Sequence, residues 1–140
     1  QTGLVPVYLH DTFQQGEFFR GIKTIMTIHN LKFQGVWDVA TVKGITGLPA
    51  YYFTADKLEA YKDANYLKGG IVYADAITTV SNTYAEEIKT AFYGERLSGS
   101  VQMRGLPYYK ICIPLFQSCR RLLNFRFIWL ISSVLKKSGS

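Results

Sequence analysis

His29 and Asn30 close a β-rich run, Lys23 to His29, and open a loop. In open α/β sheets, ligands bind outside the carboxyl ends of the strands. A histidine placed there can donate and accept hydrogen bonds to sugar hydroxyls. It can also stabilise charge in a transfer reaction. The plainer alternative is a histidine packed at a strand end with its hydrogen bond satisfied, and position alone favours that alternative. The two cysteines, Cys112 and Cys119, offer less. Their separation fits no zinc spacing and no Cys-x-x-Cys redox motif, so they read as free thiols of a reducing compartment.

The elements that must position His29 follow from pattern. Gly3 to His10 reads as the end of a helix or a buried connection, and Gln14 to Arg20 as a polar loop. Lys23 to His29, bounded by Gly21 and Asn30, reads as a strand buried on both faces, as in a parallel sheet. Leu31 to Leu48 is glycine-rich with little periodicity and reads mostly as loop, followed by a break at Gly47-Leu48-Pro49. Leu48, Tyr51 and Tyr52 can start a short helix. Leu58 to Ala74 carries apolar residues at helical spacing, and its Gly69-Gly70 pair predicts close approach of another backbone. Asp75 to Val80 reads as a second strand. A helix over Asn82 to Phe92 follows, capped by Ser81 or by Thr83 in a capping box with Glu86. Strands alternating with helices predict an α/β fold with a parallel, Rossmann-like sheet and flanking helices.

Charge divides the chain. The net charge is +6, but the first 99 residues hold nine Lys and Arg against ten Asp and Glu, and the last 41 hold seven basic residues and no acid. The basic character therefore belongs to the tail. Leu122 to Leu135 is too short to span a bilayer as a helix. A basic amphipathic helix on a membrane surface is one reading of it. There is no signal-peptide pattern at Gln1-Thr2-Gly3 and no initiating Met, so the natural start is expected upstream.

Five stretches, in order, carry a family resemblance. Thr27-Ile28-His29-Asn30-Leu31-Lys32-Phe33-Gln34-Gly35-Val36-Trp37 resembles the hydrophobic-His-Asn-Leu-x-aromatic-Gln-Gly stretch of bacterial glycogen synthases and plant starch synthases. Gln1-Thr2-Gly3-Leu4-Val5-Pro6-Val7-Tyr8-Leu9 resembles the segment after that family's His-Asp-Trp motif. Leu48-Pro49-Ala50-Tyr51-Tyr52-Phe53 resembles its Leu-Pro-x-x-x-Phe turn. Asn65 to Asp75 resembles its Asn-x-Leu-Lys-x-Gly-x-x-Tyr-Ala-Asp helix, and Thr78 to Ile88 its Thr-x-Val-Ser-x-Thr-Tyr-Ala-x-Glu-Ile segment.

The resemblance implies part of the N-terminal catalytic domain of a GT-B glycosyltransferase, in which two Rossmann-like domains face a cleft. It implies transfer of glucose from ADP-glucose to the non-reducing end of an α-1,4-glucan, with retention and with no metal or cofactor. It implies that His29 is catalytic and contacts the transferred sugar, and that Asn30, Gln34, Gly35 and Lys68 join it in binding substrate. Asn30 and Gln34 can equally cap their loop. Lys68 can neutralise a phosphate, or sit as a solvated helix lysine. Tyr73 and Tyr84 read as core tyrosines, and Ser81 as a helix cap that can also face ligand. Partners implied are the nucleotide sugar and the glucan acceptor, with no nucleic acid and no membrane span. The location implied is the bacterial cytoplasm, or the plastid in a plant.

Residues 100–140 depart from the family. The expected Leu-Arg-x-Arg segment and Asn-Gly-Ile-Asp strand end are absent after Gly99. The tail reads as an unrelated or frame-shifted segment. The Lys-Thr-Gly-Gly loop, the His-Asp-Trp motif and the second domain are expected to lie outside this sequence, which predicts an inactive fragment. Two alternatives remain open from sequence: a UDP-glucose-using relative, and a non-catalytic piece whose basic tail binds anionic membrane or nucleic acid.

Overall fold

The structure is a computed structural model that describes residues 2–103, 109–110 and 127–132. Cys112 and Cys119 lie outside the described residues. The chain opens with α1, Leu4–Tyr8, which runs on into a wider turn over Leu9–Phe13. Strand β1 spans Lys23–Ile28 and β2 spans Val36–Asp38. Helix α2 is Val39–Thr46, and a single tight turn covers Ala50–Tyr52. Strands β3, Glu59–Ala60, and β4, Asp63–Asn65, form a hairpin that leads into α3, Tyr66–Tyr73. Then come β5, Ala76–Thr79; α4, Asn82–Glu87; α5, Ser98–Met103; and two further strands, β6, Tyr109–Lys110, and β7, Phe127–Ser132.

The main sheet has the order β6-β5-β1-β7, all parallel. A small antiparallel sheet, β2-β4-β3, sits beside it. In β1 the second half, Met26, Thr27 and Ile28, is buried without alternation, as expected of a parallel strand covered on both faces. Buried threonines satisfy one another across the pair: Thr27 and Thr78 share a hydroxyl hydrogen bond of 2.9 Å, and the Thr79 hydroxyl donates to the Ile28 carbonyl. At the amino ends, Asp75 accepts from the Lys23 ammonium, the Thr24 amide and the Thr24 hydroxyl.

The core has two parts. Met26, Ile28, Leu31, Ile71, Ile77 and Val101 lie in the larger, and Leu4, Val7, Leu48, Tyr52 and Leu58 form the smaller. The close approach predicted at Gly69-Gly70 is present. A Cβ on Gly70 would lie 3.1 Å from the Gly3 Cα, and one on Gly3 would lie 2.0 Å from the Tyr66 carbonyl oxygen. Helices α1 and α3 cross there because neither glycine carries a side chain.

Four sequence expectations are corrected. The loop expected over Leu31 to Leu48 contains β2 and α2. The helix is fixed at its start by Asp38, which accepts from the Thr41 amide, and ended by Gly47 at φ +67°. The single helix expected over Leu58 to Ala74 is a hairpin followed by α3, because Tyr61 and Lys62 turn the chain back at φ +56° and +74°. Helix α4 ends at Glu87 rather than Phe92, where the Thr90 hydroxyl takes the Glu87 carbonyl. In the tail, Phe127–Ser132 is a strand paired with β1 rather than part of an amphipathic helix.

Candidate functional site

Strand β1 ends at Ile28, level with Thr79 of β5 and Ser132 of β7. His29 therefore stands on the carboxyl edge of the parallel sheet, where the chain bends, and it is exposed. Its backbone is held from the next residues onward. The Asn30 carboxamide oxygen accepts from the Lys32 amide at 2.9 Å, a turn that the asparagine makes with its own loop. The Leu31 amide donates to the Tyr84 hydroxyl at 3.0 Å, tying the loop to α4. Leu31 itself is fully buried, so the pair is pinned by a packed residue immediately behind it. Ser81 caps α4 by accepting from the Tyr84 amide at 3.1 Å. The cap and the loop thus meet on one tyrosine.

Gln34 and Gly35 lie farther along the same loop and serve a different contact. The Gln34 side-chain oxygen accepts from Asn65, and its side-chain nitrogen donates to the Glu95 carbonyl at 2.7 Å. Their two backbone carbonyls accept from the Leu67 and Tyr66 amides, which are otherwise unpaired donors at the start of α3. Gly35 has φ +65°, and an added Cβ would meet the Tyr66 side chain at 3.3 Å. Both residues fasten the loop to α3.

Lys68 is not the solvated lysine that its helical setting suggested. It is 7% exposed, and its ammonium donates to the carbonyls of Ala55 and Glu59. Burial pulls its pKa below the ordinary lysine value, while Glu59 and Asp56 act against that shift. Its long side chain thus clips the segment before β3 onto α3. Tyr73 is a core tyrosine. It packs near Tyr52 and His10, and burial pushes its hydroxyl up to about 12. Tyr84 packs against the larger core and carries the Leu31 contact as well.

The residues singled out from sequence therefore separate into two places. His29 and Asn30 occupy the sheet edge. Gln34 and Lys68 border a pair of small cavities beside the β3–β4 hairpin. Asn65, Tyr61, Glu95 and Arg96 complete that second place and were not anticipated. For Asn65 the signal was its place before α3, since asparagine favours the N-cap.

A family model for the starch synthase catalytic domain matches residues 1–103. The glycogen synthase of Lachnospira eligens is 74% identical over 104 residues, covering 74% of this chain and 22% of that protein. The glycogen synthase of Thermotoga petrophila is 50% identical over 111 residues, covering 79% of this chain and 23% of its own length. The solved catalytic domain of starch synthase IV from Arabidopsis thaliana, bound to ADP and acarbose, superposes with a TM-score of 0.63 at 24% identity, over 94% of this chain and 23% of that one. That likeness shows the α/β fold of a GT-B catalytic domain. The chain spans less than a quarter of the length of each relative. The match across residues 1–103 and the high identity over the same stretch establish that this chain belongs to the starch synthase catalytic domain family.

Proposed function

We propose that this chain is a segment of a retaining glucosyltransferase that moves glucose from ADP-glucose to the non-reducing end of an α-1,4-glucan, with His29 contacting the transferred sugar. The observation that carries the reading is the exposed His29 on the carboxyl edge of the parallel sheet, backed by buried Leu31 and the Tyr84 hydrogen bond. The glycogen synthases at 74% and 50% identity support it.

Glucosyl transfer passes through an oxocarbenium-like state. A hydrogen-bonding side chain that fixes the sugar acts mainly by positioning the anomeric carbon. His29 does this from a loop with little freedom. Asn30 shapes the turn that sets its backbone. Gln34, Gly35 and Lys68 contribute to substrate binding through the loops they fasten to α3. The donor and acceptor would meet at this edge, with the rest of the enzyme supplying the other wall.

The test is a chimera. Residues 1–103 replace the corresponding stretch of the Lachnospira eligens glycogen synthase, and glucosyl transfer from ADP-glucose to glycogen is measured. The chimera is expected to be active, and His29→Ala in it to lose kcat by about a hundredfold. An active chimera indifferent to His29→Ala would overturn the role of His29. An active chimera that prefers UDP-glucose would overturn the donor assignment.

The tail stays a separate proposal. The family match runs through residue 103, and Val101 is fully buried in the larger core. We infer that the residues beyond it derive from a shifted frame or a joined segment. Retranslation of the DNA in the other two frames tests the first case by its success or failure in restoring an Asn-Gly-Ile-Asp motif. The location inferred is the cytoplasm of a bacterium. Among the described residues no helix is long and apolar enough to cross a membrane.

A further inference from the structure

Two tight turns beside the small sheet each hold two consecutive side-chain-bearing residues in the left-handed region. Tyr61 and Lys62 sit at φ +56° and +74°, and Glu95 and Arg96 at φ +45° and +67°. L-residues avoid that region, and such departures gather where a surrounding structure or a function holds them. The turns are far apart in sequence, yet they meet: the Arg96 guanidinium lies over the Tyr61 ring, 5.0 Å from its centroid.

Both partners of that contact line two neighbouring cavities. One, of about 190 Å³, is bordered by Gln34, Asp63 and Glu95; the other, of about 240 Å³, by Glu59 and Lys68. Tyr61 and Arg96 border both. His29 and Asn30 border neither. Tyr61 is 67% exposed although its ring is held by the arginine, so the turn presents an aromatic surface to solvent.

The chemistry around that contact selects a ligand class. Asp63, Glu59 and Glu95 bring three carboxylates, of which Glu59 already accepts from the Lys62 amide, against Arg96 and a Lys68 whose ammonium is taken by two carbonyls. An anion meets repulsion here. A neutral polyol does not: carboxylates accept from its hydroxyls, the guanidinium donates to them, and an aromatic ring packs against its C–H faces. Two cavities that share the Tyr61 ring as a border suit successive units of a chain.

We propose that the Tyr61–Arg96 groove is a second subsite for α-glucan, separate from the His29 edge. It rests on the proposed glucan-transferring function for the class of sugar, and on the groove alone for its place.

The test titrates maltoheptaose, and separately inorganic phosphate, into the full 140-residue chain and its variants. Tyr61→Gly removes the ring and also relieves the left-handed backbone, so it is expected to keep or raise the unfolding midpoint while weakening maltoheptaose binding at least about tenfold. Arg96→Ala is expected to weaken it as well. Undiminished binding in Tyr61→Gly, no maltoheptaose binding, or phosphate binding lost on Arg96→Ala would each overturn the proposal. The same substitutions in the chimera give a reading that does not need the short chain to fold: Tyr61→Gly should raise KM for glycogen with kcat kept, and an unchanged KM overturns the subsite. A chimera that transfers glucose but ignores Tyr61→Gly sinks the subsite alone. An inactive chimera whose maltoheptaose binding falls on Tyr61→Gly sinks the transfer reading and leaves the subsite standing.

Discussion

Asn65 and Gln34 are joined amide to amide: the Asn65 side-chain nitrogen donates to the Gln34 side-chain oxygen at 2.5 Å. The other end of Asn65 accepts from the Lys68 amide and caps α3, and the other end of Gln34 donates to the Glu95 carbonyl. One buried asparagine thus links the loop that begins at His29 to the helix that carries Lys68 and, through Gln34, to the turn that carries Arg96. Asn65 is 1% exposed, so nothing in solvent can replace these partners.

Asn65→Ala removes a helix cap and strands the Gln34 oxygen. The cap contributes about 1 kcal/mol and the half-buried Gln34 oxygen left without its donor costs up to about 1 kcal/mol, so a loss of about 1–2 kcal/mol is expected. Asn65→Asp keeps the cap but offers Gln34 no donor, and should fall between. Urea unfolding midpoints of the three proteins check the order.

How much of this was legible in sequence depends on the range of the contacts. β1 and β5 were readable because short β-branched runs are bounded by turn residues, and the Ser81 cap because serine stands just before α4. Helix α2 was missed because its Val, Thr and Gly residues favour helix weakly; Asp38 before it and Gly47 after it were the overlooked signals. The β3–β4 hairpin was missed because Tyr61 and Lys62 are not the glycine or asparagine that such a turn normally takes. At the site, the place of His29 followed from a local pattern. The engagement of Gln34 did not, since its partners lie 31 and 61 residues away. The burial of Lys68 was not legible either, since the carbonyls that hold it belong to the segment before α3 and not to its own helix.

The glycines of the α1–α3 crossing should differ sharply from one another. A methyl group on Gly3 runs into the Tyr66 carbonyl, which is backbone and cannot yield without moving α3. Gly3→Ala is expected to cost more than about 3 kcal/mol, with backbone shifts adding to overpacking. Gly69→Ala meets the ends of Val7 and Leu58 side chains at 3.2 and 3.3 Å, which can rotate. Its helix-propensity gain of about 1 kcal/mol offsets much of that crowding. Thermal unfolding of the two variants side by side should show a large drop for the first and a small change of either sign for the second.

Asp75 gives the fold an acid limb. Partial burial works against its charge, but the Lys23 ammonium at 2.8 Å and the Thr24 amide and hydroxyl outweigh that and hold its pKa below the ordinary aspartate value. A carboxylate with a depressed folded pKa adds stability above its unfolded pKa and loses it as pH falls through the folded value. Wild-type stability should therefore decline as pH drops below about 4, and Asp75→Asn should start lower at pH 7 and fall less over the same window. Equal slopes in the two acid titrations would sink this assignment.

Lys68→Met tests whether the buried ammonium is a clip. Methionine fills most of the same path but donates nothing, so the Ala55 and Glu59 carbonyls lose their shared donor. A loss of about 1–3 kcal/mol is expected, with protease sensitivity rising first in the segment 55–59. The pH dependence separates this from simple repacking. Burial lowers the folded pKa of Lys68, so between that value and the ordinary lysine range the unfolded chain binds the extra proton. Stability contributed by this residue therefore rises with pH across that window. The difference between wild type and Lys68→Met should widen in the wild type's favour as pH rises toward the ordinary lysine value. A difference that shrinks over that range would place Lys68 as a paired, fully charged lysine instead of a buried clip.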